Sequence, residues 1–101
     1  MKLGADDYTL DPPSIAVNVM DEAAAVYASW NGSTETAAWQ VLAGPTPETL
    51  SLEVKSVPRI GFETEIDVKS HGPFFQVNAL DSSGRIIGTS RVVYAEEDDE
   101  E

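Results

Sequence analysis

Several things are missing from this 101-residue chain, and each absence narrows its chemistry. There is no cysteine, which excludes disulfides, thiolate metal sites and a cysteine nucleophile. There is one histidine, His71, too few for a histidine-based zinc site when thiolates are also lacking. Basic residues are scarce: six Lys and Arg stand against eighteen Asp and Glu, for a formal net charge of −12. Such a chain repels nucleic acid and anionic lipid, so neither is expected as a partner. No apolar run approaches the roughly 18–20 residues of a membrane helix, and no membrane insertion is expected of this segment. The N-terminal stretch MKLGADDYTLDPP is polar and acidic where a signal peptide is apolar, so an export signal, if there is one, is expected outside this sequence.

The charge is unevenly placed. Residues 96–101, EEDDEE, are all acidic and carry half of the net charge. A block of like charges repels itself and stays solvated, so residues 95–101 are expected to form an acidic disordered tail that acts as a solubilising or linking segment. Residues 1–11 are expected to be a flexible N-terminal segment. One folded domain over residues 12–94 remains, and that length accommodates a single two-layer core.

Period two dominates this domain, the mark of half-buried strands. In FETEIDVK, Phe62, Thr64, Ile66 and Val68 alternate with Glu63, Glu65, Asp67 and Lys69. In LSLEVKSV, Leu50, Leu52 and Val54 share one face; in FFQVNAL, Phe75, Val77 and Ala79 do, with Phe74, Gln76 and Asn78 opposite. AVYASW sets Val26, Ala28 and Trp30 inward and WQVLA sets Trp39, Val41 and Ala43 inward. Turn residues separate the runs: DPPS, Asn31-Gly32, GPTP, VPRIG, SHGP and DSSG. The pattern predicts seven strands, at about 13–19, 23–30, 37–43, 50–56, 62–68, 74–80 and 86–93, with turn signals every 8–12 residues. That spacing predicts an all-β, seven-stranded antiparallel, immunoglobulin-like sandwich.

Trp30 and Trp39 pose the main question of function, since two nearby indoles are either core or a ligand platform. At the facing ends of consecutive strands they are expected to pack inside one core, together with Val41, Phe62, Ile66, Phe75 and Val77. The alternative platform is Tyr27 and Phe74, both sent outward by alternation, which would suit a carbohydrate or an aryl ligand. Scattered surface aromatics are the plainer reading of that pair.

No catalytic constellation emerges. Ser70 or Ser82, His71 and Asp67 or Asp81 have neither a nucleophile elbow nor an oxyanion motif, so His71 reads as an exposed loop residue. Asp6, Asp7 and Asp11, or Asp21 with Glu22, lack the regular calcium-loop spacing. Gly72, Gly84 and Gly88 form no phosphate loop and read as turn or bulge glycines. No cofactor or metal is expected, and the chain is not expected to be an enzyme. Asn31-Gly32-Ser33 is a glycosylation sequon in an expected loop, and equally a turn after the second strand.

The segments PPSIAV, VYASWNGSTETAAWQVLAGP, GFETEI and VNALDSSGRIIGTSRVV resemble the C-terminal segment of the arylsulfotransferase family of filamentous fungi and actinobacteria, over about residues 12–93. That segment is similar to a fibronectin type III domain. In this pattern Trp30 closes strand B, Trp39 opens strand C, and Val77 and Ala79 end strand F. Pro73, Phe74 and Phe75 fall where such domains carry a tyrosine corner, so the entry into strand F must be held differently. In that family the catalytic histidine belongs to an N-terminal β-propeller, none of which is present, so no catalytic residue carries over. The resemblance implies a non-catalytic accessory or interaction module of a secreted or cell-surface protein. Its partner is then a neighbouring domain of a longer chain or another protein, and in isolation it is expected to be a monomer. A module that binds carbohydrate or aryl ligands through Tyr27 and Phe74 is the alternative.

Overall fold

The alternating runs form strands in a computed structural model that describes residues 12–20, 23–70 and 72–95. Among the described residues there is no helix, and the strands are β1 (Ser14–Met20), β2 (Ala23–Ser29), β3 (Ala38–Gly44), β4 (Ser51–Pro58), β5 (Thr64–Val68), β6 (Phe74–Leu80), β7 (Ile86–Thr89) and β8 (Val93–Tyr94). They make two antiparallel sheets, one in the order β1-β2-β5 and one in the order β4-β3-β6-β7, with β8 also paired to β6. The fold is therefore all-β and sandwich-like.

The run expected as one strand over 86–93 is broken in the middle. β7 pairs with the end of β6 through Asn78↔Thr89, and β8 with its start through Phe75↔Val93. Between them Ser90 turns its side chain inward, and its hydroxyl accepts from Val77 N–H at 3.0 Å and donates to the Arg91 carbonyl at 2.9 Å. A side chain thus replaces a ladder bond, and the buried Val77 N–H keeps a partner.

The core lies between the sheets. Val26 and Ala28 from β2, Trp39, Val41 and Ala43 from β3, Ile66 and Val68 from β5, and Phe75, Val77 and Ala79 from β6 are buried. Of the residues expected inside, Trp39, Val41, Ile66, Phe75 and Val77 are each no more than 2% exposed. Trp30 is half-buried and packs on this core from one end. Its ring lies over the backbone of Gly88 in the opposite sheet, so closely that a Cβ there would come within 2.5 Å of the indole.

Two residues expected to point inward face water. Phe62 was expected in the core and is 69% exposed. β5 begins only at Thr64, after a bend that follows Gly61 at φ +66°, so the alternation that points Phe62 inward has not yet started. Leu52 was expected to share an inward face with Val54 and is 49% exposed. The reason is a register shift: Val41 pairs with Val54 but Leu42 with Leu52, so one extra residue in β4 moves Leu52 to the outer face beside Leu42.

Candidate functional site

The register brings three loops to one end of the sandwich. Ser14 pairs with Ser29, Ala28 with Thr64, Ala38 with both Pro58 and Leu80, and Leu80 with Ile86. Residues 30–37, 59–63 and 81–85 therefore lie beside Ser14, near where the described chain begins.

Loops 30–37 and 59–63 brace each other. Arg59 N–H donates to the Ala37 carbonyl at 2.9 Å, and the Arg59 guanidinium donates to the carbonyls of Ser33 and Thr36 at 3.2 and 3.3 Å. The Ser33 and Thr36 hydroxyls are buried and 2.7 Å apart. Ile60 N–H donates to Thr64 Oγ1 at 3.0 Å. The backbone of residues 59–64 is thus anchored at both ends, while Ile60 and Phe62, 67% and 69% exposed, stand out from it. Ile86, 53% exposed, lies at the same end. A recess of about 240 Å3 lies there too, lined by Trp30, Gly32, Ser33, Thr34, Glu35 and Ile87. Apolar side chains on a fixed backbone need less loop ordering on contact, which is one of the costs of forming an interface.

Asn31 is exposed in the turn that closes with Ser33 N–H donating to the Trp30 carbonyl at 3.2 Å. The sequon thus lies in the same loop cluster. Asp81 organises the third loop. Its carboxylate accepts from Ser83 N–H and Arg85 N–H, both at 2.9 Å, and from the Ser83 hydroxyl at 2.7 Å. These bonds, the Arg85 amide first and the Ser83 hydroxyl next, hold the carboxyl below its usual range against a smaller opposing effect of desolvation. The carboxylate thus caps the turn.

The two platform candidates do not meet. Tyr27 lies on the outer face of the β1-β2-β5 sheet, between Ala16 and Glu65. The charge of Glu65 leads in pushing its phenol up, helped by desolvation, a hydrogen bond to Glu65, and Glu63 and Asp67. Phe74 lies on the outer face of the other sheet, where it packs edge-on against Tyr94 with ring centroids 5.1 Å apart. Tyr94, 56% exposed, was missed from the sequence because it sits just beyond the expected last strand. Farther along the same face, beyond Gln76, a polar row crosses the sheet. Thr89 donates to Asn78 Oδ1 at 2.8 Å, Asn78 Nδ2 donates to Gln40 Oε1 at 2.8 Å, and Gln40 Nε2 donates to the Lys55 carbonyl at 3.4 Å.

Among the described residues no three His, Asp or Glu side chains converge as a metal ion requires, and no helix is long and apolar enough to cross a membrane. His71, the acidic groups at Asp6, Asp7 and Asp11 and at Asp21 and Glu22, and the tail 96–101 lie outside the described residues. Comparison of the chain with protein-family models, with curated proteins and with solved structures finds no match.

Proposed function

We propose that this chain is a non-catalytic, fibronectin type III-like interaction module, and that it docks on its neighbour through the loop end bearing Ile60 and Phe62. The sheet order supports the fold assignment: β1, β2 and β5 correspond to strands A, B and E, β4, β3 and β6 to C′, C and F, and β7 with β8 to a divided strand G. The observation that carries the functional reading is the exposure of Ile60 and Phe62 on a loop whose backbone is hydrogen-bonded at both ends. Large apolar side chains held rigidly in water are the usual anchors of a protein interface. Exposed acids flank them at Glu35 and Glu63, while the Arg59 guanidinium is turned toward loop carbonyls. The fitting partner surface is an apolar recess rimmed by cationic side chains. The sequence resemblance names a candidate for that surface, an arylsulfotransferase-family propeller in a secreted or cell-surface protein, with catalysis residing in the propeller.

Calorimetric titration of the chain into such a propeller lacking its own C-terminal segment tests this. Binding is expected for the native chain and loss of binding for I60S/F62S, whose stability should stay within about 0.5 kcal/mol because both side chains are mostly in water. Equal binding by the double variant, or none by the native chain, refutes the docking role. Turnover of an aryl sulfate by the isolated chain, abolished by a point mutation, refutes the non-catalytic one.

The Phe74–Tyr94 pair favours a second reading, a shallow platform for a sugar or aryl ring on the outer face of the β4-β3-β6-β7 sheet. Chemical-shift changes confined to these residues on adding an aryl glycoside, absent in Y94A, support it over docking.

A further inference from the structure

An open sandwich exposes strand edges, and here most of them carry features that block pairing. β4 has two register shifts, exposed Glu53 and Lys55, and a terminal proline. β5 has only five residues, with Glu65 and Asp67 exposed. β7 and β8 are short and separated at Ser90. Charges, bulges and brevity are the common devices against strand addition. β1 has none of them. Ser14–Met20 pairs with β2 over seven residues without a shift and contains no charge, proline or glycine. Beside it, between β1 and the β7–β8 edge, runs a cleft of about 430 Å3 lined by residues that include Pro13, Ile15, Ser90, Arg91 and Val93. Ile15 and Val17, half-buried, form the rim of the core on this side.

We propose that β1 is a self-pairing edge: two copies of this chain associate antiparallel through Ser14–Met20, about a twofold axis at Val17, and join their three-stranded sheets into one. The strand's own sequence selects a second copy as the occupant. A twofold axis normal to the sheet keeps each residue on its face. In the register centred on Val17, Ile15 meets Val19 and Val17 meets its own copy on the core side, while Ser14 meets Met20 and Ala16 meets Asn18 on the solvent side. Every core-side pair is β-branched with β-branched, side chains that pack well against neighbours on a pleated surface, and no charges oppose each other. The incoming Ile15 and Val19 project toward the cleft. The contact is isologous, so it closes on itself and leaves neither β1 edge open.

Two quantities limit the affinity. Each copy carries −12, and that repulsion reaches about 30 Å at 0.01 M salt but about 3 Å at 1 M. A seven-residue strand spans only about 23 Å, at roughly 3.3 Å per residue, so the interface falls in the small, transient class. The expectation of a monomer then holds in dilute, low-salt solution, and pairing appears when charge is screened. The proposal is independent of the docking role.

Sedimentation equilibrium of the full chain over a concentration series, at about 0.01 M and about 1 M salt, tests it. The weight-average mass should climb from the monomer toward twice that value with concentration, more steeply at high salt. V17K sets two ammonium groups opposite each other on the axis and should abolish the rise. L52K, with the same charge change on exposed β4, should not. Because V17K can also loosen β1, a second readout stands beside it. The chain has no cysteine, so A16C and N18C copies, mixed in equal amounts under mild oxidant, should give the mixed disulfide well beyond the twofold excess over either homodisulfide that random pairing produces. Monomer mass under every condition, equal association of V17K and L52K, or no preference for the mixed disulfide overturns the proposal.

Discussion

The indole Nε1 of Trp39, on β3 of one sheet, donates to the hydroxyl of Thr64, on β5 of the other, at 3.2 Å across the interior of the sandwich. The same oxygen accepts from Ile60 N–H at 3.0 Å and donates to the Ile60 carbonyl at 3.4 Å. One buried hydroxyl thus satisfies the largest core side chain and fixes the loop that holds Ile60 and Phe62 outward. Core and candidate docking end are coupled through this atom.

Replacing Thr64 by valine keeps the shape and removes the acceptor. The Trp39 N–H is then buried without a partner, at a cost of about 1–3 kcal/mol for one such donor, and the Ile60 N–H loses its bond as well. T64V is expected at the upper end of that range and T64S close to the native chain. Urea unfolding followed by tryptophan emission measures both. Native stability in T64V means the bond contributes nothing.

Gly88→Ala tests the seat of Trp30. The added methyl would lie 2.5 Å from Cη2 and 2.7 Å from Cζ3 of the indole, so the ring must move. Overpacking of this kind costs about 1–3 kcal/mol. Because Trp30 is already half-buried at the end of the core, it is expected to swing toward water, with red-shifted emission and greater access to iodide. Trp39, 1% exposed, should stay protected. The W30F/G88A pair should lose less than the sum of the single changes, since the smaller ring leaves room; strict additivity contradicts the contact.

The pH dependence should carry a contribution from Asp81. Its folded-state pKa lies below the ordinary value, lowered first by the Arg85 amide. Between the folded and unfolded values the unfolded chain binds more protons, so stability rises with pH across that window. The contribution is complete above the unfolded pKa and lost as pH falls through the folded one. Urea midpoints of the native chain and D81N should therefore differ at neutral pH and converge in acid. An NMR titration that puts the Asp81 carboxyl at or above its usual value refutes this.

The class of fold was legible along the chain because the pleat of a strand is local. Phe75, Val77 and Ala79 alternate with Phe74, Gln76 and Asn78 in the sequence and do so in β6, whose observed bounds coincide with the expected ones. The inward positions of Trp39, Val41 and Ile66 followed from the same rule. It failed where strand ends and register depend on distant partners. Nothing local to FETEIDVK says that the strand starts at Thr64 and leaves Phe62 in water. That start is defined by pairing with Ala28 and by the bonds of Thr64 to Trp39 and Ile60. The shift that turns Leu52 outward is likewise a property of β4 against β3.

The candidate sites divide in the same way. Alternation sufficed to send Tyr27 and Phe74 outward, but their separation onto opposite sheets, the partnership of Phe74 with Tyr94, and the gathering of three loops at one end are long-range facts. By itself, the sequence determined an all-β chain with one alternating core and a strongly acidic surface, because side-chain period and formal charge are written residue by residue. Only the tertiary structure decided which apolar residues the core leaves out and which edge lies open, because cross-strand hydrogen bonds form between residues far apart in the chain.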